Sequence, residues 1–254
     1  MKLTRLLTSF MDKCSSFFGS NIKIKEKAGI WIPLFILIGI LLMLSNSCKK
    51  DNNSNPEGTV TDIDGNIYHT VQIGTQVWMA ENLKTTKLND GTSIPLVKEN
   101  GTWAYLSTPG YCWYNNDEAT FKNTYGALYN FNAVNTGKLS PTGWHVPTDA
   151  EWTILSNFLG GEDVAGGKMK EEGTTHWNSP STNGTNESGF TALPGGFRRS
   201  DGYFFSIGDN ANFWSPLENS PSPECYRYLV LNNSNLNHLG ISSNYGFSVR
   251  YLKD

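Results

Sequence analysis

The side chains of this chain that could bind a transition metal are spread singly along the sequence. The four histidines stand far apart, at His69, His145, His176 and His238. Cys112 and Cys225, the cysteines of the C-terminal two hundred or so residues, are also distant from each other. Zinc sites usually draw on histidines and cysteines that recur at short spacings. The sequence therefore predicts no bound zinc and no metal cofactor.

Oxygen-rich segments offer a different chemistry, the binding of calcium. Asp62, Asp64 and Asn66 are spaced like the start of a calcium loop, but the glycine is at position four instead of six. Asp64-Gly65 between two apolar runs is instead the signature of a β-hairpin. Segments 115–118 and 162–163 carry further amides and carboxylates. Solvated loops are our default interpretation of them, and a structural calcium site is the alternative.

An amide-rich segment near the C terminus favours binding over catalysis. No Gly-x-Ser-x-Gly nucleophile motif is present in the chain. Residues 232–245 are rich in Asn and Ser, which are adaptable residues of binding loops. We predict a ligand-binding face made by this loop together with the middle loop near Trp177, where the ring stacks on a ligand. The predicted contact residues are Trp177, Asn178, Asn233, Asn235, Asn237 and Tyr245. A solvated hairpin loop is the alternative for residues 232–245.

The sequence predicts one helix strongly, beginning after Thr148. Pro147 disfavours helix before it, Thr148 is placed as N-cap, and Glu151 stands at capping-box spacing. Trp152, Leu155 and Leu159 then form an apolar stripe that ends at Gly160-Gly161. Every polar residue in this segment has a structural task. We also expect His145 to be a packed, hydrogen-bonded histidine of the core.

The rest of the chain reads as short strands, a second helix and long irregular segments. We predict a hairpin over residues 59–73, a helix over 125–134 and an irregular segment over 160–188. Short strands are expected near 190–193, 203–207, 212–215, 226–231 and 247–252. This order is typical of an α+β domain. The net charge is −3, and no basic face suggests nucleic-acid binding.

Seven ordered segments resemble one known family, the Fibrobacter succinogenes major paralogous domain. They are Asp64–Tyr68, Gln76–Leu83, Cys112–Asp117, Tyr125–Asn130, Gly143–Trp152, Ser188–Gly196 and Tyr245–Arg250. The resemblance covers residues 59–254. It implies an α+β, C-type-lectin-like fold with short antiparallel strands, two main helices and long irregular loops, related to the formylglycine-generating enzymes.

The same resemblance bears on function. Formylglycine-generating enzymes use a pair of cysteines after a segment like Gly195–Arg198, and here only Cys225 follows. The expectation is therefore a non-catalytic binder of a glycan or a surface protein, and the protein is expected to be a monomer. The alternatives are a variable binding protein diversified by retroelements, an enzyme of the formylglycine-generating type, and a structural envelope protein without a specific ligand.

The resemblance also suggests a disulfide. Family members usually carry a cysteine where this chain has Tyr251, and Cys225 stands on what should be a neighbouring strand. A bridge from Cys112 to Cys225 would preserve a disulfide in an oxidising compartment. Two free buried thiols are the alternative.

The N-terminal segment indicates export. A lysine-rich leader precedes an apolar run at 28–44, and small residues then lead into Cys48. This pattern resembles a bacterial lipobox. We predict a signal peptide over 1–47, acylation of Cys48, a polar tether over 48–58 and one domain over 59–254. The protein would be lipid-anchored at the outer membrane or cell surface, with a periplasm-facing position as one alternative and an uncleaved transmembrane anchor as the other.

Overall fold

The computed structural model describes residues 58–180, 183–220, 222 and 224–254. The strands are β1 Gly58–Thr61, β2 Ile67–Ile73, β3 Gln76–Met79, β4 Tyr111–Cys112, β5 Leu128–Tyr129, β6 Trp144–His145, β7 Gly195–Arg198, β8 Phe204–Ile207, β9 Asn210–Trp214, β10 Cys225–Val230, β11 Asn237–Gly240 and β12 Leu252–Lys253. The helices are α1 Asn100–Ala104, α2 Glu118–Tyr125, α3 Phe131–Val134, α4 Asp149–Phe158 and α5 Glu162–Met169, with a 3-10 turn at Tyr114–Asn116.

A curled antiparallel sheet joins the two ends of the domain. Its strand order is β1-β2-β3-β12-β6, so the last strand lies between β3 and β6. A second sheet has the order β11-β10-β9, and β4-β5 and β7-β8 are two-stranded. The chain is thus a mixed, sheet-rich α+β fold. Within the described residues, no helix combines the length and the apolar character that a membrane crossing requires.

The predicted hairpin at Asp64-Gly65 is confirmed. β1 and β2 pair antiparallel, and Gly65 has a φ of +83°, which favours glycine. The Asp62 carboxylate accepts hydrogen bonds from the backbone N–H of Asp64 and the hydroxyl of Tyr68, at 3.0 and 2.6 Å. Asp62 therefore holds the turn together, whereas the Asp64 carboxylate binds Thr86 and Lys87.

The predicted capped helix is confirmed as α4. Thr148 and Glu151 form a complete capping box. Trp152, Leu155 and Leu159 are buried, as their spacing predicts. Trp152 packs against Trp78 of β3, with ring centroids 4.8 Å apart. Through this contact α4 covers one face of the large sheet.

The predicted helix over 125–134 is wrong. α2 ends at Tyr125, β5 follows, and α3 starts after its N-cap Asn130. Gly126 has a φ of +72°, and a Cβ there would lie 2.6 Å from the carbonyl oxygen of Leu83. The chain must pass so close to Leu83 that a helix cannot continue through this point.

Two further predictions of local structure need correction. The segment 160–188 contains the helix α5, although Gly166 and Gly167 lower its helix propensity. The strand near 190–193 is replaced by β7 at Gly195–Arg198, and most of 247–252 lies outside regular strands. The other three C-terminal strands are confirmed with small shifts, as β8, β9 and β10.

His145 is half-buried, which corrects the expectation of a core histidine. Its Nε2 lies 2.9 Å from Glu151 and its Nδ1 lies 2.6 Å from Asp254. The hydrogen bond with Glu151 raises the pKa of His145 to about 9, burial opposes this rise, and Asp254 adds to it. A protonated His145 therefore ties the last residue of the chain to the start of α4.

This contact predicts a loss of stability in alkaline solution. Because the pKa of His145 is higher in the folded state, its stabilisation is complete below about pH 6.5 and is lost as the pH rises through about 9. After a discount for solvent screening, we expect a loss of about 1 kcal/mol. Urea unfolding at pH 6 and pH 9.5 measures it, with His145→Gln as the reference. Equal pH dependence of the parent and variant would contradict the prediction.

Candidate functional site

A polar cleft opens beside the three-stranded sheet, where β10, β11 and the start of α5 meet. Its volume is about 200 Å³. It is lined by Glu162, Asp163, Tyr228, Asn235, Leu236, Asn237 and His238. Pockets for drug-sized ligands usually measure about 300–1,000 Å³. The cleft is therefore suited to one small polar group, such as a single sugar unit of a larger ligand.

The antiparallel register brings the cleft residues together. In the β10–β11 pair, Tyr228 lies opposite Asn237 and Arg227 lies opposite His238. Side chains directly opposite in such a pair share one face of the sheet. Tyr228 and Asn237 are both partly exposed, whereas Arg227 is buried on the other face against α4 and α5. The backbone N–H of Leu236 donates to the carbonyl of Glu162 at 2.8 Å, which fixes the cleft to the start of α5.

Stacked rings support the aromatic wall of the cleft. Tyr226 lies nearly flat on buried Phe247, with centroids 4.4 Å apart and planes 20° apart. Tyr228 stacks on Tyr226 at 5.2 Å and 25°. Tyr228 thus contacts Tyr226 and is itself partly exposed among the residues that line the cleft. Such a ring is a rigid platform on which an apolar ligand face can stack.

A buried ion cluster underlies the opposite wall. Arg227 is fully buried and binds Asp149 through Nε and Nη2, at 2.6 and 2.9 Å, and its Nη1 binds Glu162 at 2.5 Å. Burial lowers the pKa of Arg227, but the hydrogen bonds with both carboxylates outweigh this effect and raise it. Asp163 also lines the cleft, so three carboxylates lie in the cleft or beneath its wall, against one arginine. Counted without His238, these groups carry an excess of negative charge.

The cleft offers hydrogen bonds and stacking, with no assembled nucleophile. Its side chains supply carboxylate and amide oxygens, amide N–H groups, a phenol and an imidazole. Within the described residues, no three histidine, cysteine or carboxylate side chains cluster closely enough to hold a metal ion. This donor set matches ligands that display several hydroxyl groups.

The structure brings part of the predicted C-terminal loop to the cleft. Asn235 and Asn237 both line it. Asn233 lies in the same turn, where its side-chain oxygen accepts the backbone N–H of Asn235 at 3.0 Å. Residues 232–245 are nevertheless not one loop, because they include β11, which pairs with β10. The role of Asn233 is therefore to shape the turn.

The middle loop contributes differently from the prediction. Trp177 is 1% exposed, and its Nε1 donates to the carbonyl of Ala192, so it offers no stacking face to a ligand. That prediction is wrong, because the ring is needed in the core beneath the sheet. Asn178 is exposed and donates to Asp209 at 2.9 Å. The carbonyl of Asp209 accepts from Leu231 at the start of the β10–β11 turn, so Asn178 lies at the same end of the sheet.

Tyr245 lies in the aromatic cluster next to the cleft. Its ring contacts Phe197 at 6.1 Å and Phe247 at 5.6 Å. Since Phe247 also supports Tyr226, Tyr245 belongs to the layer that backs the stacked tyrosines. It is not among the residues that line the cleft.

The predicted disulfide between Cys112 and Cys225 is not formed. Both are free, buried thiols. Cys112 lies in β4 beside Arg198, whereas Cys225 lies in β10 with its Sγ 3.9 Å from Asp149. The strands belong to different sheets, so the two thiols have separate surroundings. Cys48, the predicted lipidation site, lies outside the described residues.

Five cleft residues were not predicted as ligand contacts, namely Glu162, Asp163, Tyr228, Leu236 and His238. Glu162 and Asp163 stood out only as an oxygen-rich pair. The alternation of Tyr226 and Tyr228 in a strand could have marked a partly exposed aromatic face. His238 gave no signal, because its proximity to the cleft depends on the β10–β11 register.

A second cleft, of about 460 Å³, lies near the hairpin turn and is lined in part by Asp62, Asn89 and Asp90. Two of its polar side chains already bind a distant segment of the chain. Asn89 donates to the carbonyl of Ser140 at 3.0 Å, and Asp90 pairs with Lys138 at 2.9 Å. The smaller cleft, with its aromatic wall, is therefore the better candidate for a site.

Comparison with known proteins yields one family. Residues 71–253 match the model described as the Fibrobacter succinogenes major domain. No curated protein and no solved structure matches the chain.

Proposed function

The chain belongs to the Fibrobacter succinogenes major domain family, and we propose that it is a non-catalytic binding protein of the cell envelope that recognises a glycan. The observation that carries this proposal is the partly exposed Tyr228 in a cleft that is also lined by amides and carboxylates. A sugar ring combines an apolar face with a rim of hydroxyl groups. Tyr228 would stack on that face, and Asn235, Asn237 and Asp163 would bond the rim.

The charge of the cleft narrows the kind of glycan. The negative charge of three carboxylates exceeds the single positive charge of Arg227. These carboxylates belong to Asp149, Glu162 and Asp163. A uronic acid or another anionic sugar would bring a further negative charge close to these carboxylates, which is unfavourable in a partly desolvated site. The preferred ligand is a neutral glycan, bound with a dissociation constant of about 0.1–1 mM per site, because few groups contribute.

The cleft predicts which variants lose binding. Tyr228→Ala is expected to weaken binding of a neutral glycan at least tenfold, because it removes the stacking ring, and Asn237→Ala is expected to weaken it severalfold. Tyr105→Ala is the control, because Tyr105 is 89% exposed and does not line the cleft. The full-length chain in detergent is screened on a glycan array, and affinities follow by calorimetry.

Two results of this screen would contradict the proposal. One is the absence of any glycan binding, which would leave a structural envelope protein as the better account. The other is binding that survives Tyr228→Ala, which would place the site elsewhere, for example at the larger cleft beside Asp62. Preferred binding of acidic glycans would overturn the charge argument alone.

We further propose a lipid anchor at Cys48 and a C-type-lectin-like architecture. The anchor is supported by the apolar run that ends in small residues before Cys48 and the polar segment that follows. The architecture is supported by β12, which pairs the chain end with the N-terminal sheet. The outer membrane or cell surface is the corresponding location.

The anchor makes a direct prediction for export. Cys48→Ala is expected to block acylation and processing and to change both the apparent mass and the membrane fractionation of the protein. Labelling with a radioactive or clickable fatty acid measures acylation, and Cys14→Ala serves as the matched control. Unchanged mass and unchanged membrane retention in Cys48→Ala would favour the uncleaved transmembrane anchor.

A further inference from the structure

The turn between β10 and β11 forms one side of the cleft. Few hydrogen bonds join its residues to one another. It spans residues 231–236 and carries Asn235 and Leu236 to the cleft. The backbone N–H of Leu231 donates to Asp209, that of Asn235 to the Asn233 side chain, and that of Leu236 to Glu162. In all three bonds the turn supplies the N–H donor. The carbonyl oxygens of the turn must therefore accept from groups outside it.

A single buried lysine supplies donors to two of these carbonyls and to that of Val230, the residue before the turn. Lys170 follows the last turn of α5 and is fully buried. Its Nζ donates to the carbonyl oxygens of Val230 at 3.0 Å, Leu231 at 3.3 Å and Asn233 at 2.7 Å. The ammonium also lies 5.1 Å from the ring centroid of Trp177. Charge-assisted hydrogen bonds of this kind are stronger than neutral ones.

The helix that precedes Lys170, α5, is shaped to receive the turn. A Cβ at Gly166 would lie 2.4 Å from the carbonyl oxygen of Asn235, and one at Gly167 would lie 2.9 Å from Oγ of Ser234. The backbone N–H of Gly167 donates to the carbonyl of Ser234 at 3.1 Å. Only glycine permits so close an approach, so α5 and the turn form one packed unit.

We propose that Lys170 is a positioning residue of the cleft, whose protonated amine holds the β10–β11 turn in the conformation that binds a ligand. This inference rests on the proposed function. Loss of the proton leaves two N–H donors for three carbonyls and directs a lone pair at an oxygen. The turn then loosens, and affinity for the glycan falls while the rest of the fold persists.

The electrostatic surroundings of Lys170 place this change within an accessible pH range. Burial lowers the pKa of Lys170 to about 8. The turn, residues 231–236, contains no titratable side chain. On α5 and the segments beside it, Lys168 pairs with Glu187 and Glu171 pairs with His176. Glu162, Asp163 and His238 are the titratable groups of the cleft itself.

Hydrogen exchange of the full-length chain in detergent tests the proposal without a ligand. The readout is the protection of the Asn235 and Leu236 amides, corrected for the intrinsic pH dependence of exchange. In the parent protein, protection is expected to fall at least tenfold between pH 7 and 9.5, with a midpoint near 8. In Lys170→Met, protection of these amides should be low at every pH in the series. Lys168→Met, two residues earlier in the last turn of α5, should behave like the parent.

Affinity for the neutral glycan that binds best on the array provides the second readout. It should fall with the same midpoint in the parent protein, and this pH dependence should disappear in Lys170→Met. If no glycan binds, the proposed function fails but the exchange data still decide the role of Lys170. Should Lys170→Met not fold, the pH series of the parent decides alone. Flat protection of the turn from pH 7 to 9.5 would overturn the inference.

Discussion

Replacement of Arg250 by methionine is expected to lower the free energy of unfolding by about 3–5 kcal/mol. Arg250 is 1% exposed and donates to four oxygen atoms, in Asn82, Met79, Phe190 and Thr191, at 2.7–3.0 Å. Methionine fills similar space but donates no hydrogen bond, so these oxygens remain buried and unsatisfied. Each unsatisfied group costs about 1–3 kcal/mol, which outweighs the relief from removing a buried charge.

The matched control for Arg250 is Arg199→Met. Arg199 is exposed, pairs with Asp201 and lies 4.5 Å above the ring of Phe205. Exposed ion pairs contribute about 0–1 kcal/mol, so this variant should be close to the parent. Urea denaturation of both variants, followed by tryptophan fluorescence, measures the difference. Similar stabilities for the two variants would show that the loop at Phe190 adapts easily and does not depend on Arg250.

The residues that identify the family are used inside the fold. Asn82, from one signature segment, binds Arg250, from another, and also donates to the hydroxyl of Ser248. Gly246 packs against Trp103, where a Cβ would lie 2.8 Å from the ring. The cleft residues, in contrast, lie outside the signature segments. This separation explains why the sequence indicates the family and the α+β class but not the site, because a shared fold hosts many functions.

Short sequence patterns predicted correctly those elements whose stabilising contacts lie within a few residues. The hairpin at Asp64-Gly65 and the capped helix at Thr148 each depend on contacts within a few residues. The end of α2 at Gly126 depends instead on the carbonyl of Leu83, more than forty residues earlier. The glycines of α5 are likewise explained only by the β10–β11 turn, which packs against them too closely for a side chain. Close contacts between segments that are distant in sequence produce no periodic residue pattern, so they cannot be predicted from one.

Burial of aromatic rings was the least predictable property of the candidate site. Trp177 stands among polar residues and Tyr228 beside apolar ones, yet Trp177 is buried whereas Tyr228 is partly exposed beside the cleft. The difference arises because Trp177 packs below the sheet with Lys170 over its ring, whereas Tyr228 lies on the opposite face. For Tyr228 the strand register decides, since a single residue of slip exchanges the two faces of β10, whereas Trp177 lies in a loop whose packing no periodic pattern predicts.

Trp152→Ala is expected to destabilise the fold by about 3–5 kcal/mol, the usual range for loss of a large buried aromatic side chain. Trp152 is fully buried and contacts Trp78, Phe190 and Phe213 at centroid distances of 4.8, 5.6 and 5.5 Å. These rings come from the large sheet, the loop before β7 and the three-stranded sheet. Removing the central ring leaves a cavity that none of the three elements can fill without moving.

Two variants separate this packing role from other effects of the substitution. Ile154→Ala, on the same helix but 51% exposed, should change stability by less than about 0.5 kcal/mol. Trp152→Phe should cost less than the alanine variant, since the Trp152 Nε1–H has no hydrogen-bond partner within the described residues. It retains an aromatic ring against Trp78 and removes that unsatisfied donor. Urea unfolding of the three variants should rank Trp152→Ala as by far the least stable. A Trp152→Ala protein as stable as the parent would mean that α4 does not dock through this face.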